Sequence, residues 1–286
     1  MDRHKHKPKP KHPPKPHPAP AKKTTDWGNV ADWYDRLVGD EGSEYQRHVV
    51  NPGVLRMLDL QPGQRILDLA CGQGVLCRAL ASHDSHPQIT GIDAAPGLIQ
   101  AAQRREQTDR LNITYLLGDA RELPQNPALQ PASFDAITCI LAIQNMTPLT
   151  PIWQGAKHLL KPNGRLIVVM MHPCFRIPRQ STWHWDTTKN EQLRLISSYL
   201  TSSKTEIEMH PGQLAHGAPA QQTTTFHRPL QAYINTLGSA GLLIDHIEEW
   251  TSHKKNEPGP RKDELERSRR EIPLFLALRA RRAVNP

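Results

Sequence analysis

The chain has 286 residues, with 36 Lys and Arg against 28 Asp and Glu and a formal net charge of +8, long enough to bury a full core with additions to one domain. Residues 1–25 hold seven Lys and one Arg against one Asp, which leaves a charge of about +1 for everything from Asp26 onward. The basic balance therefore belongs to a tail, and charge is excluded as an argument that the folded body binds nucleic acid.

From Lys5 to Pro20, proline alternates with Lys and His and apolar residues are nearly absent. Such a composition cannot offset the entropy of ordering, so the Lys/Pro/His-rich tail 1–25 is expected to be disordered with polyproline II character. It reads either as an electrostatic tether for RNA, anionic lipid or an acidic partner, or as a solvated, dispensable extension. Its histidines, His4, His6, His12 and His17, have no fixed geometry, and no metal is expected. No apolar core follows the basic start, so a secretory signal is not expected, and no run of about 18 apolar residues predicts a membrane span.

Asp32, Trp33, Tyr34 and Asp35 form a polar-aromatic stretch, and Glu44 to about Leu60 reads as a helix broken near Pro52-Gly53. The first predicted strand, Arg65–Ala70, breaks into Cys71-Gly72-Gln73-Gly74 and then a helix from Val75 to about Ser82. Bare glycine backbone lets a ligand approach where any Cβ would collide, and the following helix points its first free N–H groups at that ligand. Strand two is Gln88–Asp93, after which Pro96 opens a helix through Arg104. Strand three is Ile113–Leu117, and strand four, Phe134–Leu141, is a nearly continuous apolar run of the kind buried on both faces. Thr150 caps a helix over Pro151–Leu160 that Asn163-Gly164 stops, and strand five is Arg165–Met171. Strands alternating with helices predict parallel pairing and an α/β, doubly wound sheet.

After Met171 the alternation stops. Residues 172–226 are rich in Arg, Trp, Gln, Thr, Pro and His, with one helical patch expected near Glu191–Leu200. An insert leaving the last parallel strand on the ligand side of the sheet reads either as a substrate cap or as a disordered loop. A helix over Leu230–Ala240, closed by Gly241, and strands over Leu242–Glu249 and Ile272–Ala280 complete the pattern. Cys71, Cys77, Cys139 and Cys174 lack Cys-x-x-Cys spacing and have apolar flanks, which fits a reducing compartment and a cytoplasmic protein.

Ile66-Leu67-Asp68-Leu69-Ala70-Cys71-Gly72-Gln73-Gly74 resembles motif I of the class I S-adenosylmethionine-dependent methyltransferases, with Ala70 where that motif usually has glycine. Gly91-Ile92-Asp93 resembles the motif II acid, Leu117-Gly118-Asp119-Ala120 motif III, Phe134 to Cys139 motif IV, and Leu160-Lys161-Pro162-Asn163-Gly164-Arg165-Leu166 the run before strand five. The stretch Phe226 to Asn235 and the ending Glu271 to Leu276 are similar to a bacterial small-molecule subgroup of the ubiquinone/menaquinone-methyltransferase-like superfamily. By spacing the resemblance covers roughly residues 30–282. It implies a Rossmann-like seven-stranded sheet, mostly parallel with an antiparallel last strand, one domain over 26–286, and S-adenosylmethionine as cofactor. Its cofactor residues map onto Asp68, Ala70, Cys71, Gly72, Gly74, Asp93, Ala94, Asp119 and Ala120. Asp93 reads as the ribose acid, against the alternative of a helix N-cap. Asp68 is expected to orient the loop or the cofactor's amino acid end, and as a buried carboxylate it requires a donor.

Methyl transfer from a sulfonium needs alignment and, for hydroxyl or amine acceptors, a base. His172, directly after strand five, and His227 are the candidate bases, each balanced against a structural role. Arg176 and Arg179 read either as a fork for a carboxylate or phosphate or as exposed loop cations. Tyr34, Trp33, Trp183 and Trp185 read as aromatic walls or as lid packing, and Asn145 as orienting the acceptor or capping a turn. Cys174 follows strand five, as does the nucleophile of RNA pyrimidine carbon-five methyltransferases. Their second Pro-Cys after strand four is absent, because the chain there reads Leu141-Ala142-Ile143-Gln144-Asn145. The first reading is thus a small-molecule methyltransferase, O-methylation foremost. Its rivals are a nucleic-acid methyltransferase tethered by the tail and a non-catalytic cofactor-binding module.

Overall fold

The computed structural model describes residues 26–208 and 222–283, so the tail expectation for residues 1–25 and the centre of the insert lie outside the described residues. In chain order the strands are β1 (Arg65–Leu69), β2 (Gln88–Asp93), β3 (Thr114–Leu117), β4 (Phe134–Ile140), β5 (Leu160–Met171), β6 (Ser181–Asp186), β7 (Glu191–Ile196), β8 (Ser203–Glu208), β9 (Gln222–His227), β10 (Leu242–Trp250) and β11 (Phe275–Arg282). Seven of them form one sheet in the order β10-β11-β5-β4-β1-β2-β3. β2, β1, β4 and β5 pair in parallel, and β11 lies antiparallel between β5 and β10. The expected doubly wound sheet with an antiparallel last strand is the observed one.

The helices are α1 (Ala31–Val38), α2 (Asn51–Leu58), α3 (Val75–Ala81), α4 (Pro96–Asp109), α5 (Thr150–Leu159), α6 (Leu230–Ser239) and α7 (Lys262–Glu271). They cover both faces. On one face α5 and α6 bury Trp153, Phe134 and Leu237; on the other α2 and α3 bury Val54, Met57 and Leu80. A central strand apolar on both sides is what such a sandwich requires. Ala136, Ile137 and Cys139 of β4 are accordingly inaccessible to solvent.

Four expectations are corrected. The helical patch near Glu191–Leu200 is strand β7, paired antiparallel with β6 so that Trp183 stands opposite Arg194; cross-strand partners override local propensity. Pro52-Gly53 does not break its helix. A π-helical turn over Gln46–Val50 runs into α2 with Val50 and Asn51 both in right-handed helical geometry, the change of hydrogen-bond pitch falling just before Pro52, and a Cβ on Gly53 would enter the Trp250 ring, 2.8 Å from Cε2. Asn163-Gly164 does not stop α5, because β5 already begins at Leu160. The last strand begins at Phe275, and before it lies α7, which carries Asp263 and Glu264 in its first turn and Arg269 and Arg270 in its last, a charge order that complements the helix dipole.

The two hairpins of the insert part company. β6–β7 leans on α7, where Gln192 N–H donates to Glu264 at 3.0 Å and the Ser268 hydroxyl to the Gln192 side-chain carbonyl at 2.7 Å. β8–β9 (partners Ser203↔His227 to Glu208↔Gln222) instead crosses the carboxyl end of β4.

Candidate active site

At the tips of β1, β2 and β3 the backbone closes a turn. Cys71 N–H donates to Ile92 O at 3.1 Å, Gly74 N–H to Cys71 O at 3.0 Å, and Gly72 N–H to the Asp93 carboxylate at 2.9 Å. Ala70, Gly72 and Gly74 all lie in the left-handed region, at φ of 54°, 56° and 83°. Glycine adopts this region freely, whereas a residue with a Cβ is penalised by about 1–2 kcal/mol, so Ala70 is strained. At Gly74 space is lacking too, since a Cβ would stand 2.7 Å from Tyr115 Cζ.

Beside this turn lies a cavity of about 390 Å3. Of the residues expected around a cofactor, Ala70, Gly72, Asp93, Ala94, Asp119 and Ala120 line it; Cys71, Gly74 and Asp68 do not. Asp93 is buried, and its second oxygen takes the Ala95 N–H at 2.8 Å. Burial holds its carboxyl above the ordinary value against the pull of those amides, and the charge of Asp119 adds to the rise. The Ala94 amide also bonds the carboxylate, which with about four lone-pair sites still keeps acceptor capacity for a ligand hydroxyl. Arg121 clamps Asp119, its Nε donating to the two oxygens at 2.9 and 3.0 Å, and its Nη1 reaches Thr147 O at 3.3 Å. Bare backbone, a buried acid and a second acid one strand on fit a nucleoside with a vicinal diol.

Asp68 sits behind the turn with the expected donors: Thr138 Oγ1 at 2.6 Å and Cys77 Sγ at 3.5 Å. Burial pushes its carboxyl up to about 7, against both hydrogen bonds. Its reach is to the β4 hydroxyl and the α3 thiol.

The opposite wall comes from further along the chain. Tyr34 stacks edge-on against Trp27 with ring centroids 5.2 Å apart, and both line the cavity. Burial, with the Asp93 charge nearby, lifts the Tyr34 hydroxyl to about 12, so it stays protonated at neutral pH. Asn145 lines the cavity and donates to Thr224 O at 2.8 Å, while Arg228 donates to Met146 O at 2.7 Å. These bonds hold β8–β9 over the opening, and Lys204, Thr224 and Phe226 complete the wall. Sequence reasoning did not name Lys204, Thr224, Arg121 or Trp27. Arg121, two residues beyond Asp119, was the one with a local signal.

Neither histidine lines the cavity. His172 is buried; its Nδ1 accepts the Cys174 N–H at 3.2 Å and its Nε2 faces Glu249 at 2.7 Å, which leaves no free lone pair for an acceptor. Burial keeps its ring below the usual histidine value even with Glu249 beside it. His227 is buried and donates through Nε2 to Tyr199 O at 2.8 Å, pinning β9 to the loop after β7. Arg176 is also elsewhere, over the Trp183 ring with Arg194 as its neighbour. Arg179 lies in an adjoining cleft. Trp183 and Trp185 belong to β6, where Trp185 stacks with Arg261.

Among the described residues no helix is long and apolar enough to cross a membrane, and no cluster of His, Cys, Asp and Glu is arranged to hold a metal. The sequence model of a family described as a methyltransferase domain matches residues 60–228. The chain is 34% identical over 142 residues to a ubiquinone biosynthesis O-methyltransferase of Xylella fastidiosa, covering 49% of this chain and 54% of that protein. It is 32% identical over 139 residues to the protein of the same name in Xanthomonas campestris pv. campestris, at 48% and 54% coverage. The chain thus spans about half the length of the curated relatives it matches. Among solved structures, an S-adenosylmethionine-dependent methyltransferase from Mesorhizobium loti superposes with a TM-score of 0.60 at 25% identity, covering 85% of this chain and 100% of that one. A Haemonchus contortus phosphoethanolamine N-methyltransferase 2, solved in complex with S-adenosylmethionine, gives 0.59 at 16% identity, with 94% and 62% coverage, a likeness of fold alone.

Proposed function

The chain belongs to the methyltransferase-domain family, and on that premise we propose that residues 26–286 form one domain that methylates an oxygen of a small acceptor with S-adenosylmethionine. When bound, that cofactor would supply an electrophilic methyl on a positively charged sulfur; an acceptor oxygen would take the methyl, releasing a neutral thioether, and the oxygen's proton would pass to water. Gly72 would admit it along bare backbone beside the small Ala70, Asp93 would take its ribose hydroxyls, and Asp119 with Ala120 would flank its base. Tyr34 and Asn145 face the same space and would orient the acceptor. The preference for oxygen rests on the names of the curated relatives. No histidine among the described residues lines the cavity, so on this reading the acceptor hydroxyl ionises without one and the pH profile of turnover should follow the acceptor's own ionisation. We read the compartment as cytoplasmic, supported by four cysteines that are all free.

The observation that carries this reading is the buried Asp93 carboxylate, bonded to the glycine-turn amide at 2.9 Å in the wall of a capped cavity. Titration calorimetry with S-adenosylmethionine and S-adenosylhomocysteine tests it. Both should bind, and Asp93→Ala should weaken each at least about 100-fold, as expected for losing two hydrogen bonds to a charged group. Undiminished binding in that variant would overturn the assignment.

A further inference from the structure

At about 390 Å3 the cofactor cavity sits near the lower end of the roughly 300–1,000 Å3 that small-molecule sites span, which is room for one ligand of that class. The second reactant, whose reacting end Tyr34 and Asn145 would orient inside this cavity, therefore needs a place outside it for the rest of its structure. A cleft of about 590 Å3 opens alongside, between the Pro178-Arg179-Gln180 segment and β8, and the two spaces share a single wall residue, Lys204.

The chemistry of that cleft is specific. Lys204 stands opposite Phe226 in the β8–β9 ladder, and no carboxylate among the described residues pairs with it. Arg179 spends one N–H on the Glu206 backbone carbonyl at 3.0 Å and keeps the rest of its fork. It does so from a left-handed backbone at φ 60°, a conformation with a cost for any residue bearing a Cβ. Ser203 and Gln180 also line the cleft, and each has one side-chain atom, Oγ and Oε1, that is shut off from solvent without a hydrogen-bond partner. Such orphaned groups cost about 1–3 kcal/mol each until something satisfies them. One carboxylate, Glu206, shares the wall, which leaves two cations against a single anion.

We propose that the methyl acceptor carries a carboxylate, held in this outer cleft by Lys204 and Arg179, with the reacting oxygen directed past Lys204 into the cofactor cavity. The inference rests on the methyl-transfer reading and names the acceptor class for the same site. A carboxylate matches the donors on offer, an ammonium and a guanidinium fork. Arg176, which the sequence offered as a second anion ligand, plays no part, because it packs on Trp183 outside both cavities.

The test uses the full chain loaded with S-adenosylhomocysteine and two probes that differ only in charge, 3,4-dihydroxybenzoate and 3,4-dihydroxybenzyl alcohol, followed by calorimetry. The carboxylate should bind at least tenfold more tightly than the alcohol. Lys204→Met and Arg179→Met should each reduce that preference to threefold or less; thermal unfolding reports that both variants fold, and Arg179→Met, outside the cofactor cavity, should keep S-adenosylhomocysteine affinity within threefold. Lys204→Glu combined with Arg179→Met should invert the preference toward 3,4-dihydroxybenzylamine. Equal binding of acid and alcohol by the loaded wild type, absence of binding by both, or a preference that survives both Met substitutions would each overturn the proposal. Failure of S-adenosylhomocysteine to bind the wild type would instead bring down the methyl-transfer reading itself.

Discussion

The two walls of the cavity are built from different materials. On the β1–β3 side the main chain does the work: the amides of Gly72 and Ala95 hold Asp93, and the Cys71 amide joins the turn to β2. On the other side the wall is made by side chains reaching distant carbonyls, Asn145 to Thr224 and Arg228 to Met146, across 79 and 82 residues of sequence. A wall of backbone tolerates little change of shape where it is tight, as at Gly74, whose added Cβ would meet the Tyr115 ring. A wall of side chains can be rebuilt residue by residue without disturbing the turn.

Substitutions can break or sharpen this contrast. The largest effect is expected at Gly74, where alanine meets both a left-handed φ and the Tyr115 ring. Gly74→Ala should cost about 3 kcal/mol of stability or more and remove measurable S-adenosylmethionine binding, read by denaturant unfolding and calorimetry. Asp68 lies behind the same wall. Its folded carboxyl is raised to about 7 from an ordinary 3.8, so its contribution is fully present below pH about 4 and is lost as pH rises through about 7. At about 1.4 kcal/mol per unit, the deprotonated form costs several kcal/mol by pH 8. Asp68→Asn, which keeps an acceptor for Thr138, should therefore melt higher than wild type at pH 8, with the two curves converging below pH 4; a constant offset across that range would refute the buried-acid account.

On the side-chain wall the effects should be smaller and confined to the acceptor. Asn145→Ala removes one bond that holds β9, worth about 1–1.5 kcal/mol. It should lower kcat/KM for the acceptor about tenfold while leaving S-adenosylmethionine affinity within twofold. Equal losses in both would show the two walls to be one unit. The smallest effect is at Ala70, where glycine relieves the left-handed strain; Ala70→Gly should raise stability by about 0.5–1 kcal/mol in thermal or denaturant unfolding.

The same contrast explains what the sequence made legible. The glycine turn, Asp93 and Asp119 announce themselves because their geometry is local: a strand end, a tight turn, a helix start. The insert does not, because its structure depends on partners far away. Glu191–Leu200 looks helical until Arg194 is set opposite Trp183. Lys204 is an unremarked lysine until the β8–β9 ladder brings it to the cavity. His172 stands at the right strand end for a base, but Glu249, 77 residues later, takes its ring. Ala70, the departure from glycine in the turn, was visible in the sequence, and its φ of 54° shows that the backbone still takes the glycine path.

β11 fixes an order of assembly. It lies between β5 and β10, so β10 reaches the sheet only through a strand that follows it in the chain. During synthesis the four strands β3, β2, β1 and β4, with β5, can pair as they emerge from the ribosome, whereas β10, although packed on α6, has no strand to pair with until residues 275–282 are made. A nascent chain stalled after α7 would hold its nucleotide-side half complete, with the outer flank of β5 bare and ready for chaperones to grasp.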